Sequence, residues 1–151
     1  MGTIQASVQV AAPQERVFKV FTQIEKAPEH IPQIQSVEML TEGPFGNGTR
    51  WRETRLFMKK QATEEMWVTG FEAPNRYTVE ANSNGMLYDT LFEFTPSGEG
   101  TQVTWTFNST PQTFGAKVMS PIFNLLLKGT MKKCMQGDLD ALKGVCESKG
   151  E

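Results

Sequence analysis

The sequence predicts an α+β fold: a strongly curved, seven-stranded antiparallel sheet wrapped around one long C-terminal helix, with two short helices after the first strand. Three observations carry this. Apolar and polar residues alternate over most of the stretch 3–109, the period of strands with one buried face. Short turn signals divide that stretch, as antiparallel neighbours in a meander require. The last thirty-odd residues change to helical spacing.

Ile4, Ala6, Val8 and Val10 alternate with Thr3, Gln5, Ser7 and Gln9, giving the first strand. Pro13 follows at once. It suits a first helical position, where its missing N–H is not needed. Val17, Val20, Phe21 and Ile24 then recur at helical spacing, and Pro28 and Pro32 keep any second helix, around 25–30, short. Turn signals at 43–48, 58–61, 73–76, 83–85 and 96–100 separate strands near 34–41, 49–58, 61–72, 76–83, 86–95 and 101–109. Asn84-Gly85 is the sharpest hairpin signal. Ser120-Pro121 supplies a cap and a first-turn proline for a helix over 120–147, with a helical turn around 114–119 before it. Gly129, Gly137 and Gly144 lie within that helix, where they serve close approach of sheet or ligand, or helix flexing. A curved sheet cannot cover its own concave face, and the last helix is placed to do so. The first strand pairs with the end of the meander.

The 151 residues fit one domain, 1–151. Net charge is -2, which gives no bulk electrostatic case for nucleic acid. No apolar run reaches the ~20 residues of a membrane span. MGTIQASV lacks the apolar core of a signal peptide. Cys134 and Cys146 fall on one predicted helix, about 18 Å apart at 1.5 Å per residue. That exceeds the roughly 7 Å a disulfide tolerates, so both are expected as free thiols in a reducing cytoplasm. His30 is the one histidine, in a proline-bounded segment expected to be exposed. No zinc spacing, nucleophile elbow or phosphate loop occurs, so neither metal nor cofactor is expected.

The stretches VQVAAPQERVFKVFT, GNGTRWRE, GFEAPNRYTVE and LFEFTPSGEGTQVTWTF, with the closing helix, are similar to the START-like helix-grip superfamily (SRPBCC). Within it they resemble the polyketide cyclase/dehydrase and lipid-transport group, over about 3–147. Members of that group hold lipids, sterols, quinones, plant hormones or polyketide intermediates between sheet and helix. Some cyclise or dehydrate polyketides. The resemblance is specific for fold and weak for function.

Alternation turns Tyr77, Val79 and Ala81 inward, then Tyr88, Thr90, Phe92 and Phe94, then Val103, Trp105 and Phe107. The helix answers with Phe123, Leu126, Leu127, Met131 and Met135. By pattern alone these side chains either fill a core or line a cavity; the resemblance implies a cavity. On 61–72, either Met66 and Val68 or Trp67 and Phe71 face the helix. Trp51, Glu53 and Arg55 share one face. Turned inward, they bring Trp51 and an ion pair to the ligand; turned outward, they are a solvated charged face. Asp89 is expected on the wet side. Arg55, Tyr77 and Tyr88 are the weak candidates for acid/base work in a metal-free cyclase or dehydratase. Residues 118–127 are apolar on nearly all sides. They are either buried against sheet and short helices, or form a cavity mouth, membrane-touching patch or dimer surface. The expected partner is an apolar small molecule held by a monomer or weak dimer. The alternatives are an enzyme on a polyketide-like ketone and an interaction module that recruits a partner to a membrane.

Overall fold

The structure, a computed structural model, describes residues 2–57, 59–83, 86–111 and 114–148, and at positions 2, 57, 83, 111 and 114–128 it describes the backbone alone. Strand β1 (Gly2–Val10) leads into helix α1 (Gln14–Thr22), a 3-10 turn (Ile24–Lys26) and helix α2 (Ala27–His30). Six strands follow: β2 (Ile34–Met39), β3 (Arg50–Phe57), β4 (Lys60–Glu72), β5 (Arg76–Ser83), β6 (Met86–Ser97) and β7 (Gly100–Pro111). Helix α3 (Phe114–Glu147) ends the described chain. One antiparallel sheet runs in the order β1-β7-β6-β5-β4-β3-β2, so the first strand does close on the last. The predicted Asn84-Gly85 turn lies outside the described residues.

Register follows from which face is apolar. Ile4 pairs with Phe107 and Ala6 with Trp105; Phe92 pairs with both Trp105 and Tyr77. A one-residue slip would turn each of these rows outward. A bulge between Val68 and Gly70 in β4 resolves the open choice on that strand. The extra residue re-phases the alternation, so Met66 and Val68 face inward below it and Phe71 packs inward above it, while Trp67 stays outside under Arg50.

Two helix starts differ from expectation. Pro13 is the N-cap of α1, not its first residue. Its ψ of 153° is extended, and its carbonyl accepts from the Val17 N–H at 3.1 Å. Helix α3 begins at Phe114 and continues through Ser120-Pro121. Proline removes one backbone donor, which weakens a helix locally without necessarily ending it.

The core gathers where α1 meets the sheet. Phe94, 2% exposed, is ringed by Phe18, Phe21 and Tyr77 at centroid distances of 5.1, 5.3 and 5.9 Å. Thr101 Oγ1 donates to the Ala12 carbonyl at 2.9 Å and holds the turn after β1. Helix α3 packs along β1 and touches β7, α1 and α2. Gly129, Gly137 and Gly144 do not serve close approach: a Cβ at each would meet nothing within 4 Å. Cys134 and Cys146 are free thiols.

Candidate functional site

Sheet and α3 do not meet everywhere. Between them lies a cavity of about 580 Å3. Its wall is built in cross-strand rows. Trp51, Met66, Ala81, Tyr88 and Ser109 stand side by side on β3 to β7. Val79, Thr90 and Phe107 form the next row, and Tyr77, Phe92 and Trp105 the one beyond. All of these line the cavity, and α3 adds Met131 and Met135. Phe94 and Val103, also predicted inward, are buried in the core and do not line it. Phe123, Leu126 and Leu127 have side chains outside the described residues, as does the apolar start of α3.

The Trp-x-Glu-x-Arg row of β3 faces inward. Trp51 is 2% exposed and packs against Phe45, and Glu53 is 8% exposed. Arg55 Nε donates to Glu53 Oε2 at 3.0 Å, and Arg55 Nη2 donates to Asp138 Oδ2 at 2.9 Å. Asp138, 5% exposed, comes from α3. A guanidinium flanked by two carboxylates thus spans from the sheet to the helix at the cavity wall. Burial alone would lower the Arg55 pKa, but Asp138 and Glu53 outweigh it and hold the pKa above the ordinary value. Burial pushes Asp138 above the usual carboxylate range, and Arg55 only partly offsets this. Removing one member of such a group leaves a buried charge without compensation, which typically costs 3–5 kcal/mol.

The weak acid/base candidates all reach the cavity, with unequal chemistry. Tyr77 is buried, its hydroxyl donating to the Phe21 carbonyl at a long 3.5 Å. Burial, with the Glu53 charge second, raises its pKa strongly. It stays neutral at physiological pH and serves as a hydrogen-bonding group, not a base. Burial and then Glu64 raise Tyr88 in the same direction. Cys134 lines the cavity; burial and Asp138 raise its thiol pKa, and Arg55 opposes them.

His30 corrects an expectation. It is half-buried and lines the cavity from the end of α2, and its Nδ1 is buried without a partner among the described residues. Helix α2 packs against β2 and α3, which brings its last residue to the cavity. Asp89 does not line the cavity; it stands opposite Asn108 and Glu80 on the other face. The Trp51 and Trp105 indole N–H groups are likewise buried without an acceptor among the described residues.

Sequence reasoning missed Asp138, Leu139 and Leu142 of α3, and Ile31 and Ile34 beside α2, which all line the cavity. Leu139 and Leu142 belong to the same apolar helical stripe as Met131 and Met135, so the set of lining residues could have been extended along it. Asp138 gives no such signal: an acidic residue on a long helix reads as solvated until its partner 83 positions away is known. No group of three or more His, Cys, Asp or Glu residues able to hold a metal occurs among the described residues. No helix among them is long and apolar enough to cross a membrane.

Solved structures share this architecture. A Thermus thermophilus protein, TTHA0849, superposes with a TM-score of 0.82 at 20% identity, over 99% of this chain and 100% of that one. The Zhui aromatase/cyclase of a Streptomyces species gives 0.82 at 16% identity, over 97% and 93%. A START superfamily protein from Mycobacterium smegmatis gives 0.78 at 15%, over 96% and 97%. At such identities the likeness establishes the helix-grip fold. No curated protein matches the chain. The family model described as "Polyketide cyclase / dehydrase and lipid transport" matches residues 1–147, and the chain belongs to that family.

Proposed function

We propose that the chain binds an apolar small molecule, of lipid, sterol, quinone or polyketide-like size, between its sheet and α3. The observation that carries this reading is the cavity itself. Its volume of about 580 Å3 falls within the roughly 300–1,000 Å3 usual for small-molecule sites. Its wall is mostly aromatic and aliphatic, with a few polar groups gathered around Arg55. Two methionines on α3 supply adaptable surface.

Native mass spectrometry of the purified protein tests this directly, because a tightly held apolar ligand often survives purification. Titration with a sterol, a quinone, a long-chain alcohol and a flat polyketide provides the second arm. At least one should change Trp emission, since Trp51 and Trp105 line the cavity. If no copurified mass appears and every compound leaves emission and stability unchanged, the reading fails.

A second reading is favoured by the polar groups in the wall. Arg55 and Tyr88 both line the cavity and can donate hydrogen bonds to ketone oxygens of a substrate undergoing cyclisation and dehydration. The structural neighbour named as an aromatase/cyclase points the same way by analogy. Incubation with a linear poly-β-ketone thioester tests it. A product lighter by one water and absent with Arg55→Met supports catalysis; an unchanged substrate mass rejects it.

A further inference from the structure

We infer that the Glu53–Arg55–Asp138 triad makes this cavity a site for uncharged, oxygen-bearing apolar molecules and closes it to carboxylates. The inference rests on the binding reading above and narrows its ligand class.

A lone arginine in an apolar cavity would favour an acid. Its guanidinium grips a carboxylate through two parallel N–H bonds, one of the strongest pairings proteins make. In this cavity one of the two edges that can do so, Nε–Nη2, is already used, and Nη2, which the second edge shares, is already bonded to Asp138. Nε donates to Glu53 and Nη2 to Asp138. Two carboxylates therefore face one guanidinium, and the group as a whole is negative when all three are ionised. The rest of the wall adds to this. Among the described residues lining the cavity, the carboxylates on the inward face are Glu53, Glu64 and Asp138, against the single guanidinium of Arg55. An incoming carboxylate would meet net negative charge where water is scarce and repulsion is weakly screened. It would also have to give up its own hydration for the remaining donors alone.

An uncharged oxygen meets a different site. Arg55 Nη1 takes part in neither of those two bonds and belongs to a side chain that lines the cavity. It can donate to a ketone, quinone or phenol oxygen without drawing a second negative charge into the wall. Glu53 and Asp138 hold the guanidinium in place for that bond, so they act as positioning residues. Fatty acids and other apolar acids are then poor ligands despite fitting the volume.

Three probes with one ring system separate these ideas: 2-acetonaphthone, 2-naphthoate and 2-methylnaphthalene, titrated at pH 7.5 by calorimetry and Trp emission. On the wild-type chain we expect the ketone to bind at least about tenfold more tightly than the carboxylate. The double variant Glu53→Gln/Asp138→Asn keeps the guanidinium and removes both negative charges. It should reverse the order, raising naphthoate affinity relative to methylnaphthalene by about tenfold or more. That gain cannot come from misfolding, and the wild-type series stands by itself if the variant does not fold. Naphthoate binding to the wild type as well as the ketone does would overturn the inference, while leaving the cavity reading intact. A folded double variant that gains no naphthoate affinity would overturn it as well. If none of the three probes binds, the cavity reading falls and takes this inference with it.

Discussion

Ala81 stands between Met66 and Tyr88 in one cross-strand row and is the smallest side chain there, 5% exposed. Its methyl group faces the cavity, so Ala81→Phe distinguishes open space from a filled core. In a filled core an added ring costs typically 1–3 kcal/mol. In a cavity it buries apolar area of its own. The expected outcome is stability within about 1 kcal/mol of wild type by denaturant titration, with ligand affinity reduced about tenfold or more. A loss above roughly 2 kcal/mol would mean a packed interior instead. Cys146 makes the complementary case at a residue with no such space. It is 2% exposed, and burial lifts its thiol from the ordinary 9.0 to about 11, with Arg16 opposing and Glu147 assisting. The folded chain therefore keeps this proton while the unfolded chain releases it. Stability from this group is fully present below pH 9 and is lost as pH rises from 9.0 to about 11. The full effect is at most a few kcal/mol, since each tenfold change in an equilibrium is worth about 1.4 kcal/mol. Cys146→Ala should remove that part of the alkaline slope; an unchanged slope in the variant would show that other groups carry it.

Among the elements, α1 reaches the end of α3 through the Arg16 side chain. Arg16 Nε donates to the Cys146 carbonyl at 2.6 Å, and Nη2 donates to those of Ser148 and Val145 at 2.8 and 3.3 Å. These are carbonyls a helix cannot satisfy internally, and a cation there also meets the favourable end of the helix dipole. Arg16→Met keeps the apolar stem and removes the donors. It should lower stability by about 1–2 kcal/mol and speed amide exchange in the last turn of α3. Unaltered exchange would mean that the packing of α3 on β1 is sufficient to hold that end. The elements were legible from the sequence to different degrees, for physical reasons. Strands such as β1 and β5 declare themselves because one face is dry and the other wet. β4 did not, because its bulge gives the two halves opposite phases. The start of α3 was hidden because a proline marks both a first helical turn and a weakened interior one. The inward turn of Trp51, Glu53 and Arg55 could not be read from β3 alone, because charged residues there are usually wet. What decides it is Asp138 on α3, which supplies the second carboxylate.

At the scale of the molecule, the three tryptophans divide the signals that binding would produce. Trp51 and Trp105 line the cavity, whereas Trp67 lies on the outer face with the Arg50 guanidinium 4.8 Å from its ring centre. Trp67→Phe should therefore leave the ligand-induced change in emission in place, and Trp105→Phe should diminish it. A ligand at 100 times its Kd should add about 2.7 kcal/mol to stability, seen as a higher midpoint of unfolding. A response lost with Trp67 would relocate binding to the outer face. The pairing of β1 with β7 carries a further consequence, one of time. Strands β2 to β7 each meet a neighbour in chain order, while β1 waits for a partner at the far end: Ile4 finds Phe107, and Gly2 finds Ser109. Closing so long a loop costs entropy before any contact rewards it. The meander can form during synthesis as each strand emerges, but the wall beside α3 is completed only when nearly the whole chain is available. Refolding should accordingly run in milliseconds to seconds, with amides of β1 gaining protection after those of β4 and β5.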